Sequence, residues 1–215
     1  MSVGETLPET DVDAAIASVC RPGLVQLTSV QVAASSAELI ELMQQAAESL
    51  RQQHAGDPPG SIERVQVVRA MYRDLGMDPH HTRPSSEALL RRVLRGDDLP
   101  RVNRIVDAAN LWSLQTLCPV GLYNAGRIEG PISFRFGTEG EGYQGIRKDW
   151  VNVSDRPALF DRAGPFGNPT SDSARTAVDE STRAVLAVAF QPAAFPTTEV
   201  EDLADILARF GARAA

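Results

Sequence analysis

Apolar positions recur along this chain with two different periods. In the first half they fall three and four residues apart. Leu39, Leu42, Met43, Ala46 and Leu50 line one face of a segment that Ser36 can cap, which predicts a helix over 36–54. Gly56, Pro58, Pro59 and Gly60 break it. A second helix is expected over 61–75, with Gly76 as its stop. Pro84, Ser85 and Ser86 open a third that runs through Arg95 to Gly96. A fourth spans 102–117 and closes before Pro119. Ahead of these, residues 24–32 alternate apolar and polar, the two-residue period of a strand.

From Gly121 onward the pattern changes. Short β-like runs at 132–136, 150–153, 158–160 and 184–190 are separated by turn residues. A last helix starts at Thr198, where Glu201 completes a capping box, and runs to Phe210 before Gly211. No repeat, low-complexity tract or long linker divides the chain. The expected fold is α+β: helices packed on a mainly antiparallel or mixed sheet, with residues 1–20 as an acidic leader or short helix and residues 21–215 as one domain.

Composition narrows the class. At 215 residues with 43% hydrophobic and 23% charged positions, the chain can bury a core and is not a disordered or fibrous sequence. It has no apolar run long enough for a membrane helix. Residues 1–10 are acidic and polar, so a signal peptide is not expected and the cytoplasm is. Cys20 and Cys118 form no framework and no CxxC pair. The net charge of −7 excludes a general nucleic-acid coat protein. Lys148 is the one lysine among the 21 basic residues, the mark of a GC-rich coding sequence. The stretch 83–104 stands out at +3, which leaves about −10 on the rest.

Common catalytic signatures are missing. His54, His80 and His81 fit no HxxxH or HExxH pattern, so no metal and no cofactor is expected. No GxSxG elbow, Walker A loop or GxGxxG is present. The glycine-rich stretch 137–142 carries two glutamates that would repel phosphate, and it reads as a hairpin turn.

Two segments are more specific. One is TRPSSEALLRR at 82–92, preceded by Tyr72-Arg73 and Gly76-Met77-Asp78-Pro79. The other is LPRVNRIVDAAN at 99–110, followed by Pro119-Val120-Gly121-Leu122-Tyr123-Asn124 and Arg127-Ile128-Glu129-Gly130. Together they resemble the B3/B4 domain of the phenylalanyl-tRNA synthetase β subunit and, more closely, the free-standing B3/4-domain proteins, over roughly residues 20–212. The resemblance implies an editing hydrolase that releases a wrong amino acid from tRNA in trans. Its partner would be mischarged tRNA, with no membrane and no obligate protein partner.

The resemblance carries over residue by residue only in part. Asn110 matches a pocket asparagine, and Asp107 shares its helix face. Gly121 falls where the synthetase has a histidine, and Ala187 where it has the glutamate that contacts the hydroxyl of tyrosine. The polar stretch 164–176 retains Arg175-Thr176 and is expected to supply a pocket wall, with a turn-rich surface loop as the other reading. An aminoacyl ester is already activated, so the site must hold it, position a water and stabilise an oxyanion. Asn110, Asp172 and Thr176 are the catalytic candidates. Arg104, Asp107, Gly121, Tyr123, Glu129, Gly167, Asn168, Ser171 and Arg175 are the substrate-binding candidates. Asp172 can activate water or bind a cationic side chain, and Glu129 can equally serve a solvated face. Arg91, Arg92 and Arg95 are expected to face tRNA phosphate.

The expected substrate is a non-protein amino acid such as canavanine on arginine tRNA, because a carboxylate grips a guanidinium through a two-pronged contact. The alternatives are a tyrosyl-tRNA(Phe) deacylase and a non-catalytic tRNA- or amino-acid-binding module.

Overall fold

The computed structural model describes residues 7–147 and 149–211. In chain order its elements are β1 (Thr10–Val12), α1 (Ala14–Ala17), β2 (Cys20–Thr28), α2 (Ala37–Gln53), α3 (Glu63–Asp74), α4 (Ser85–Leu94), α5 (Arg104–Thr116), β3 (Val120–Asn124), β4 (Ile132–Phe136), β5 (Gly142–Gln144), β6 (Trp150–Asn152), β7 (Pro157–Asp161), β8 (Gly164–Asn168), β9 (Ser171–Asp172), β10 (Ala184–Pro192) and α6 (Thr198–Gly211). The fold is α+β, and none of these helices is long and apolar enough to cross a membrane.

α3 and α4 start without a side-chain cap, the latter behind Pro84 with Ser85 and Ser86 already inside the helix, whereas α2 and α5 start where a side chain replaces a missing backbone partner. Ser36 accepts from the N–H of Leu39 at the head of α2. Asn103 accepts from Ile105 and Val106 at the head of α5. Gly76 and Gly96 end α3 and α4 with positive φ, as their places in the sequence predict. At the end of α5 the left-handed position is instead taken by Leu117 (φ 54°).

Strand β10 is the spine. It pairs antiparallel along its whole length with β2, Ala184 opposite Thr28 and Pro192 opposite Cys20, and on its other edge with β3, Val188 opposite Gly121. Eight of its nine residues are buried, so it reads as a continuous apolar run rather than an alternating one. α6 packs against β2 and α5, and α5 against β3. The Trp112 indole locks α5 to α6 by donating to the Glu199 carbonyl at 2.7 Å.

A second sheet has the order β1-β4-β7-β8-β9. It meets the first through aromatic pairs, Phe134 with Phe190 (centroids 5.6 Å apart) and Tyr123 with Phe166 (5.0 Å, edge to face at 87°). A two-stranded ribbon, β5-β6, completes the β layer.

Three features differ from the pattern-based expectation. Residues 10–20 join the fold: β1 pairs in parallel with β4, and Ile16 and Cys20 are fully buried. The strand expected at 24–32 lies at 20–28, because its register is fixed by β10 rather than by its own alternation. The 137–142 stretch is a turn but not a hairpin, since β4 and β5 belong to different sheets. Glu141 there accepts from the Thr138 N–H and pairs with Arg135.

Candidate active site

Alternate residues of a strand share a face, so β3 turns Gly121 and Tyr123 toward β8 together. The Tyr123 hydroxyl lies in the space left by two glycines. A Cβ on Gly121 would fall 2.2 Å from it, and one on Gly167 would fall 2.3 Å from it. Glycine at both positions is therefore a packing requirement of the phenol. Asp172 pairs directly with Gly167 across the β8–β9 hairpin, which puts its side chain on the same face.

The phenol is fully buried, and its oxygen meets no partner in hydrogen-bond geometry. Burial, followed by the negative charge and then the oxygens of Asp172, holds its pKa well above the ordinary tyrosine value. Asp172 thus lies close enough to act on the phenol. The group stays a neutral donor at physiological pH.

The other two tyrosines of the chain converge on the same hairpin. Tyr72, from α3, donates to the Pro169 carbonyl at 2.6 Å. Tyr143, from β5, donates to the Ser171 carbonyl at 2.5 Å. Burial comes first among the causes that raise both pKa values, and the Asp172 charge contributes to each. Asn168 shapes the turn itself: its Oδ1 accepts from the Thr170 N–H and hydroxyl and from the Ser171 N–H. The hairpin that carries Asp172 is thus held by the phenols of Tyr72 and Tyr143, with that of Tyr123 beside it.

Of the residues singled out from the sequence, Gly121, Tyr123, Gly167, Asn168, Ser171 and Asp172 come together here. Others lie elsewhere. Arg175 forms a two-pronged pair with Asp161 (2.8 and 2.9 Å) at the far end of β8, where the Glu129 N–H also donates to Asp161. Strand rise puts that end about 10 Å from Asp172. Thr176 is buried behind β8, its hydroxyl 3.3 Å from the Phe166 carbonyl. Asp107 is buried at the head of α5, where its two oxygens accept from the Ser35 hydroxyl (2.6 Å) and the Val102 N–H (3.0 Å). The Arg104 N–H donates to the Ala33 carbonyl nearby. Asn110 is half-buried on α5, and no hydrogen bond among the described residues ties its side chain to the Asp172 group. Ala187, on β10, is fully buried opposite Val25 and Leu122.

Tyr72 and Tyr143 were not singled out as site residues. Tyr72 sits in an apolar helix face and Tyr143 in a glycine-rich run, so each reads locally as core. Their shared scarcity, three tyrosines in 215 residues, is the one signal the sequence offers.

The arginine-rich stretch is partly neutralised within the fold. Glu87 is 1% exposed and accepts from Arg69 (2.6 and 2.7 Å) and Arg91 (2.7 Å), with Arg83 at 3.9 Å. Arg92 donates to the Asp98 carbonyl and Arg95 pairs with Asp97. An open cavity of ≈ 580 Å³ between α2 and α4 is lined by Arg51, His54, Arg91 and Arg95 among others.

Both cysteines are buried thiols; burial pushes Cys20 up to about 12 and Cys118 well above its usual value, so neither supplies a thiolate. Among the described residues no group of three or more His, Cys, Asp or Glu side chains is placed to hold a metal ion.

Comparison with known proteins agrees with this architecture. No curated protein matches the sequence. An N-terminal fragment of the phenylalanyl-tRNA synthetase β-subunit from Pyrococcus horikoshii is similar in fold, with a TM-score of 0.51 at 11% identity over 98% of this chain. The chain spans about half of that fragment, 51% of its length. A family model, the B3/4 domain, matches residues 67–202 and so takes in most of α3, all of α4 and α5, every strand from β3 to β10 and the hairpin that carries Asp172. With more than half of its length matched, the chain belongs to the B3/4 domain family.

Proposed function

We propose that this protein is an aminoacyl-tRNA deacylase that hydrolyses the ester of a wrongly charged tRNA at the Asp172–Tyr123 site. The observation that carries the reading is the buried Tyr123 hydroxyl, which Asp172 acts on but which meets no partner in full hydrogen-bond geometry. An unsatisfied buried hydroxyl costs roughly 1–3 kcal/mol. A group kept at that cost, in a family whose fold is shared with a tRNA synthetase fragment, fits a donor waiting for a substrate oxygen.

In this reading the Tyr123 hydroxyl donates to the carbonyl oxygen as negative charge develops on it. Asp172 holds the positive charge of the amino acid: the α-ammonium that every aminoacyl ester carries, or a cationic side chain. Water adds to the carbonyl carbon, the C–O bond to the ribose breaks, and the proton passes from the water to the departing ribose oxygen. A neighbouring ribose hydroxyl can relay that proton, so no metal is required. A cationic amino acid such as canavanine on arginine tRNA suits the site better than tyrosine. The phenol of Tyr123 already fills the space at Gly121, and apolar Ala187 offers a tyrosine hydroxyl no partner.

A binding module without turnover is the second reading. It is favoured by the engagement of the Thr176 hydroxyl and of both Asp107 oxygens within the fold. The deciding experiment incubates catalytic amounts of the protein with a panel of mischarged tRNAs. Release of amino acid supports the deacylase; retention of tRNA with no release supports the binding module.

A further inference from the structure

Four large apolar side chains are conspicuously exposed among the described residues, and two of them, Ile146 and Trp150, lie on the hairpin that joins β5 to β6. Trp150 is 61% exposed and Ile146 40%. The indole is not loose. A Cβ on Gly142 would fall 2.6 Å from its Nε1 and 2.7 Å from its Cε2, so the ring lies against the glycine while most of it meets solvent.

The hairpin is tied directly to the candidate site. Gly145 bridges Ser173 antiparallel, and the Ile146 N–H donates to the Asp172 carbonyl at 3.0 Å. The register fixes the faces. Ile146 falls opposite Asp172, and Gln144 opposite Trp150, so alternation puts Ile146, Trp150 and Asp172 on one side of the β layer. Strand geometry separates the indole from the Asp172 carboxylate by about 10–15 Å. The connecting sequence, Gly145-Ile146-Arg147-Lys148-Asp149-Trp150, adds two cationic residues on an otherwise acidic chain.

We infer that Trp150 is a stacking platform for the terminal base of the tRNA whose ester the Asp172 site takes, an inference that rests on the function proposed above. The chemistry of the substrate sets the occupant. The ester is carried by the ribose of the last nucleotide, so when the amino acid lies at Asp172 that nucleotide's base lies one nucleoside away. A supported, largely exposed indole is what an unpaired base at the end of a single strand stacks on. A protein partner would call for a wider apolar surface, and the patch is one ring and one isoleucine.

Intrinsic fluorescence tests this cleanly, because the chain has two tryptophans and the other, Trp112, is fully buried. The probe is an RNA minihelix ending in single-stranded CCA, compared with the same duplex made blunt. The CCA-ended minihelix is expected to quench tryptophan emission and the blunt one to leave it unchanged. Trp150→Ala loses the quench and binds about ten-fold or more weakly. Trp150→Phe, which keeps an aromatic face and guards against misfolding, binds close to wild type. Binding that leaves emission unchanged, no binding of the CCA-ended probe, or wild-type affinity in Trp150→Ala would overturn the platform. The two readings fail separately. Quenching without ester hydrolysis overturns the deacylase and leaves the platform, whereas wild-type hydrolysis by Trp150→Ala without quenching does the reverse.

Discussion

The Tyr123 hydroxyl and the Asp172 carboxylate share one buried corner between β3 and β9, and the phenol oxygen there has no hydrogen-bond partner. Stability and function therefore pull in opposite directions at position 123. Tyr123→Phe removes the unsatisfied hydroxyl and keeps the ring against Phe166. Thermal melts should show it as stable as wild type or more so, by up to about 1–3 kcal/mol. Deacylation should fall by about 10²–10³-fold, the usual cost of losing one oxyanion donor. A variant that is less stable and fully active would show that the hydroxyl only supports the fold.

The glycine at 121 is fixed by the same phenol. Gly121→Ala places a methyl 2.2 Å from the hydroxyl and 2.8 Å from the ring carbon that bears it. It should cost about 1–3 kcal/mol by overpacking. Gly121→His, with a larger side chain at the same place, should cost more. A double-mutant cycle with Tyr123→Phe should be clearly non-additive in chemical denaturation, since the two groups touch. Additive losses would mean that the methyl is accommodated elsewhere.

Glu87 gives the fold an acid limit. Burial pushes its carboxyl up, but hydrogen bonds from Arg69 and Arg91, reinforced by their charges, leave its pKa below the ordinary value. A depressed folded pKa means that this stabilisation is fully present above the unfolded pKa, about 4.3, and is lost as pH falls through the folded one. Glu87→Gln should cost about 3–5 kcal/mol at neutral pH, because Arg69 is left buried without its partner charge. In melting curves the gap between wild type and variant should start to shrink as pH falls below about 4.3 and close only below the depressed folded pKa. A gap that stays constant down to pH 3 would contradict this account.

The three helix arginines should behave unequally. Arg91 is bound to Glu87, while Arg92 and Arg95 are exposed, Arg95 at the cavity between α2 and α4. Removing Arg92 and Arg95 together should flatten the salt dependence of tRNA binding, each lost phosphate contact taking about 0.9 from the slope, with little change in melting temperature. Arg91→Ala should also destabilise the fold. An unchanged slope in the double variant would make these arginines a solvated face.

Much of this architecture is legible in the sequence where local chemistry decides it. Ser36, Gly76 and Gly96 mark helix ends because caps and left-handed stops act over a few residues. The strand at Ile132–Phe136 follows from its own composition. Other elements are decided at long range. β1 has three residues and no periodicity to read, and it exists because β4 offers a free edge. β8, rich in glycine and proline, reads as a loop and is a strand because β7 and β9 pair with it. In the candidate site, Gly121, Tyr123 and Asp172 can be picked out from the sequence, and the groups that support them cannot. Tyr72 reaches Pro169 across 97 residues, a relation that only the packing of α3 against the sheets creates.

The central claim is that Asp172 and Tyr123 hydrolyse a tRNA ester and favour a cationic amino acid. The most direct measurement compares two substrates side by side at equal concentration: arginine tRNA carrying canavanine and phenylalanine tRNA carrying tyrosine, with wild type and Asp172→Ala. The account predicts faster release of the cationic amino acid by wild type, and loss of that preference and of most turnover in Asp172→Ala. Faster release of tyrosine, with Asp172→Ala indistinguishable from wild type, would contradict it.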